Sequence, residues 1–167
     1  MRFAIAAALL GFAALLQSTL GPAWPVVKGR PDLVLVVVLA WSMLRGSGEG
    51  AAVGFLGGML LDSLTYTQFG INTALFGLLG YATGLPEVNA YRGNVPYFLA
   101  ITAVATFVYH TLYFLIVQAL GNAMPPLIDT YLAAVPAAIM NAILVAPTFI
   151  VCRRLVRALA GWTQLRL

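Results

Sequence analysis

The chain has 167 residues, 62% of them hydrophobic and 8% charged, with a mean hydropathy of +0.95. A soluble domain is roughly half apolar and a quarter charged, so this composition excludes a water-facing surface and requires lipid as solvent. The net charge of +4 sits at the ends of apolar runs, which fits the fixing of membrane orientation and not a nucleic-acid face.

Six apolar segments follow one another, at about 3–20, 31–45, 50–64, 71–85, 95–120 and 127–159. The longest connections, Gly21–Pro31 and Leu85–Asn94, are about ten residues each, so residues 1–167 read as one integral membrane domain. Arg2 followed by Phe3–Leu16 has the look of a signal peptide, but no small-x-small cleavage pattern follows. It reads as an uncleaved first helix, closed by Gly21-Pro22 and Pro25. Pro31 is a favoured first position for the second helix, and Gly46-Ser47-Gly48 breaks it. The three middle segments are short, about 22 Å of helix for the third and fourth against a ~30 Å hydrocarbon core. Pro136 and Pro147 are expected to kink the sixth segment or to mark a start and a stop.

An even number of spans puts both termini on one side. With the N-terminus inside, Arg2, Arg45, Arg92, Arg153, Arg154, Arg157 and Arg166 are cytoplasmic, and Lys28 and Arg30 lie outside. That split obeys the positive-inside rule. Trp24 and Trp162 fall where interface anchors belong. Cys152, beside Arg153, reads as a small apolar filler at a helix end.

Glycines recur at helical spacing: Gly50, Gly54 and Gly58 with Gly57 beside them, then Gly77, Gly80 and Gly84. In lipid such rows let two backbones approach closely, either within the protein or against another protein's helix. Asp62 is the sharpest single residue. It is either a helix-end group in contact with headgroup water or an acceptor for backbone N–H groups around Gly70–Thr73, at the positive end of the fourth helix. Asn72 reads as a cap or early residue of that helix. Asn141 lies about 18 Å of helix above Arg153 and needs a partner across helices. Thr102, Thr106, Tyr109 or His110, and Tyr113 form a polar stripe on the fifth segment. His110 reads as an interhelical hydrogen-bonding group. No nucleophile-base pair, metal cluster or phosphate loop is visible, which starves an enzyme reading. A pump would need more intramembrane carboxylates.

The order and spacing of these residues resemble the MreD family. The likeness runs through Gln17, Arg30-Pro31-Asp32-Leu33, Arg45 and Gly50, then Gly54-Phe55-Leu56-Gly57-Gly58-Met59-Leu60-Leu61-Asp62-Ser63. It continues through Gly70-Ile71-Asn72-Thr73, Gly80-Tyr81-Ala82-Thr83-Gly84, Asn141-Ala142 and Pro147. A departure is the connection after Gly84, which holds only Arg92 beside Glu87 where the family is more basic. The resemblance implies a non-enzymatic scaffold of cell-wall elongation in the bacterial inner membrane, without a cofactor. The expected partners are MreC, RodA, a penicillin-binding protein and MreB. It also implies a six-helix fold similar to the substrate-binding component of ECF vitamin transporters. The rival function is a vitamin-binding transporter subunit, with Asp62, Asn72, Tyr109 and Tyr113 lining an outward pocket.

Overall fold

The apolar run Leu33–Trp41 has no face to give to water, and a helix apolar all round must be buried. In the computed structural model this run forms the middle of a helical bundle. Helix α2 (Leu33–Arg45) is buried continuously from Val34 to Met43. Around it stand α1 (Arg2–Leu20), α3 (Ser47–Leu64), α4 (Ile71–Thr83), α6 (Val95–Ala119) and α7 (Leu127–Gln164), with a single turn, α5 (Pro86–Asn89), between α4 and α6. The structure describes residues 2–20, 29–65, 68–89, 94–122 and 124–164, and among them all regular structure is helical. Lys28, Arg92, Arg166 and Trp24 lie outside the described residues, as do the side chains of Arg2 and Trp162. Neighbours run α1–α3–α4–α6–α7 around the ring, and each packs on α2.

Two helical stretches, Val95–Ala119 and Leu127–Ala158, are long and apolar enough to cross a membrane. Only 28% of the most apolar window of each is buried, whereas the core helix of a soluble protein is mostly buried. Val104, Leu115, Ile139 and Ile143 are more than half exposed. Apolar surface on this scale needs a non-aqueous neighbour.

Several boundaries differ from the sequence reading. The second helix begins at Leu33 and not at Pro31, because Asp32 caps it: Oδ1 accepts from Leu35 N–H at 3.0 Å. Only Gly46 separates α2 from α3, so α3 starts at Ser47 and not at Gly50. Its φ of +92° is open to glycine alone, and it turns the chain within one residue. The tight turn brings Glu49 under Arg45, where the guanidinium grips the carboxylate through two bonds of 3.0 and 2.7 Å. The fourth helix stops at Thr83 and is followed by the unforeseen turn α5. Neither Pro136 nor Pro147 starts or stops α7, which runs unbroken for 38 residues. In an apolar surround, neighbours cover the backbone that proline frees. Pro136 packs against Gly29, and next to Pro147 the Thr148 hydroxyl donates to Leu144 O at 2.7 Å.

Candidate functional site

Glycine sets the geometry at the centre. A Cβ added to Gly50 would strike the carbonyl of Gly80, one on Gly54 the carbonyl of Phe76, and one on Gly58 the backbone of Asn72 and Thr73. The paired numbers sum to 130 at each step (50 + 80, 54 + 76, 58 + 72), the signature of two antiparallel helices in backbone contact at every turn. Gly84 closes the end of the seam away from Asp62, against Gly46 and Ser47. Gly57 faces the other way, towards Leu10 of α1 and Val34 and Val38 of α2. Gly77 is not part of the seam: a Cβ there would meet its nearest neighbour at 3.8 Å, ordinary contact. Ser42 of α2 and Thr83 of α4 tie the seam to the central helix through a 2.7 Å hydroxyl pair.

Asp62 continues the row Gly50, Gly54, Gly58 by one more turn, which carries its carboxylate to the start of α4. There Oδ2 accepts from the N–H groups of Gly70 at 2.9 Å and Thr73 at 3.0 Å, and from the Thr73 hydroxyl at 2.7 Å. Oδ1 accepts from Asn72 N–H at 3.3 Å. These are orphan donors of a helix N-terminus, satisfied by a residue on the neighbouring helix. The carboxylate is buried, so of the two sequence readings the geometry is that of the backbone acceptor. Gly70 is the N-cap, with φ +103°. Asn72 is therefore not the cap; its Oδ1 accepts instead from the Tyr109 hydroxyl at 2.7 Å.

A second polar node lies around Asp32. Its backbone N–H donates to Asn141 Oδ1 at 2.8 Å, and Asn141 Nδ2 donates to Thr106 Oγ1 at 3.1 Å. Thr106 in turn donates to Thr102 O at 2.9 Å. Gln17 of α1 accepts from Val34 N–H at 3.2 Å, two residues past Asp32. Gln17 and Asp32 thus meet Asn141, more than a hundred residues further along the chain, at one point. Thr106 and Tyr109, three positions apart on α6, join this node to the one at Asp62. Arg30 does not take part; it is exposed, while Gly29 beside it is buried against Ala133 and Ala137. His110 bonds within its own helix, Nδ1 to Thr106 O at 2.9 Å, and among the described residues it makes no hydrogen bond to another helix. Tyr109 is the member of that pair turned inward, its ring 5.2 Å from Phe76. Sequence reasoning missed the hydroxyls of Thr73, Ser42 and Thr83 as partners, since threonine and serine in apolar runs usually bond only to their own helix, and it missed Glu49 beside Arg45.

Replacing Asn141 with leucine leaves the Asp32 N–H and the Thr106 hydroxyl without their partner inside an apolar core. The expected loss is about 1–2 kcal/mol, read as a lowered melting temperature in detergent, with Asn141→Asp less damaging because it keeps the acceptor.

The pattern of the family described as rod shape-determining protein MreD matches residues 1–159. No curated protein and no solved structure matches the chain. With a family match that covers α1 to α6, most of α7 and both polar nodes, this chain belongs to the MreD family of rod shape-determining membrane proteins.

Proposed function

We propose that this protein is a non-enzymatic scaffold of the bacterial inner membrane that binds MreC. Through it, the scaffold supports the RodA and penicillin-binding-protein synthase of cell-wall elongation, in register with MreB. The observation that carries this reading is the locked interior. Gln17, Asp62, Asn72, Thr106 and Asn141, each from a different long helix, and Asp32, the cap of the sixth, are tied to neighbouring segments by buried or part-buried polar bonds. Such a bundle is preorganised to present fixed lateral faces, which is what a docking platform needs.

In the bilayer the six long helices span with both termini in the cytoplasm, consistent with the basic residues at the inner ends. Asp32 is about 20 Å of helix above Arg45, and Asn141 about 18 Å above Arg153. Their direct bond therefore sets the two arginines at one level. It also starts α2 in the outer half of a ~30 Å core, where irregular backbone is tolerated only against protein. Gly29, packed on α7, meets that condition.

The test is affinity purification of the chain from membranes in mild detergent. MreC is expected to co-purify in stoichiometric amount, and depletion of the protein is expected to turn rods into spheres. Purification alone with a tightly held vitamin-like molecule, identified by mass spectrometry, would transfer the protein to the transporter-subunit reading.

A further inference from the structure

The ring around α2 is open between α1 and α7. The opening is a groove of about 240 Å³, walled by Phe12, Ala13 and Leu16 of α1 and by Pro147 and Val151 of α7, with Val37 of α2 on its floor. Its exposed lining is wholly apolar. A single methylene chain, roughly 4 Å thick at van der Waals contact, fits.

The groove has a charged end. Pro147, Val151 and Arg154 recur at four and three residues, so Arg154 extends the α7 wall on the same face, and Arg157 follows three residues later. Both side chains are exposed, and no ion pair among the described residues engages either. An apolar channel that ends in two free cations is complementary to an amphiphile with an anionic head.

We infer that the α1–α2–α7 groove is a binding site for one anionic phospholipid of the cytoplasmic leaflet. One acyl chain lies between Ala13 and Pro147 over Val37, and the phosphate sits at Arg154 and Arg157. The inference uses the membrane orientation given above but not the identity of any protein partner, so either can fail alone.

The experiment is native mass spectrometry of the full chain in mild detergent, offered dioleoyl phosphatidylglycerol or dioleoyl phosphatidylcholine, which differ only in the head. The wild type is expected to hold one phosphatidylglycerol, with a preference over phosphatidylcholine of roughly 30-fold if each arginine contributes about a factor of five. The double variant R154Q/R157Q should lose that preference and keep its fold, both positions being exposed. Ala13→Phe fills the groove and should expel both lipids; if it does not fold, the arginine variant still decides. Equal retention of the two lipids by the wild type, or an unchanged preference in R154Q/R157Q, would overturn the site. So would a photo-crosslinker at Phe12 in native membranes that labels a protein helix and no lipid.

Discussion

Gly54→Leu is expected to abolish the folded protein, while Gly77→Ala is expected to leave it intact or slightly firmer. At Gly54 the new side chain would start inside the carbonyl of Phe76, and backbone cannot yield as a side-chain tip does. Relief would require α3 and α4 to part, but α2 lies across both, held by Ser42 to Thr83 and by Val38 against Gly57 and Gly80. Overpacking of a close-packed interior costs about 1–3 kcal/mol, and more when backbone must move. A loss of about 3 kcal/mol or more is therefore expected, a large part of the stability of a chain this size. At Gly77 the added methyl meets only ordinary contacts, and alanine is about 0.5–1 kcal/mol better than glycine inside a helix. Melting temperature in detergent and the monodisperse fraction on size exclusion read both changes. Similar losses at the two positions would mean that the α3–α4 seam is not the packing described here.

That pair also marks how far the sequence could be read. Gly54 and Gly77 stand in apolar runs of the same kind, and both belong to rows spaced for helix contact. What separates them is the partner helix: the register that sums to 130 puts Gly54 on a carbonyl and leaves Gly77 at ordinary contact distance from Ala51 and Phe55, and register is a tertiary property. The existence of the long helices was legible because each apolar run is bounded by glycine, proline or charge. Their ends were less so. Gly46-Ser47-Gly48 looks like a broad break, yet one glycine at positive φ suffices and Ser47 already belongs to α3. Of the two readings of proline in α7, the start-and-stop one fails for a related reason, since rules learned in water assume a solvent that competes for the freed carbonyls. The polar residues divided along the same line. Asp62 and Asn141 announced a need for partners, because an unsatisfied polar group in lipid is costly. Which partner answered depended on packing: Tyr109 was turned to Asn72, and the adjacent His110 was left to bond its own helix.

The second large effect is expected at Asp62. Asp62→Leu removes the acceptor of three backbone N–H groups and of the Thr73 hydroxyl, and apolar surroundings offer these donors no substitute. A lost helix cap typically costs about 1–2 kcal/mol, and each buried donor left unmet adds a desolvation penalty of about 1–3 kcal/mol. Fraying of the first turn of α4 will relieve part of that sum, so a net loss of about 3 kcal/mol is the expected result. Asp62→Asn discriminates the cause. It keeps the size and one carbonyl oxygen but turns an NH₂ donor towards N–H donors, so it should recover about half of the loss and no more. Hydrogen exchange at Gly70, Asn72 and Thr73 reads the effect where it arises: these amides should lose protection in both variants before the seam at Gly54 does. Because Asn72 also holds Tyr109, release of the α4 start should loosen α6 as well, and co-purification with MreC should fall in step with the amide protection. A leucine variant with wild-type protection at those three amides would show that α4 is held by its packing alone, and that the carboxylate is not what fixes this end of the α3–α4 pair.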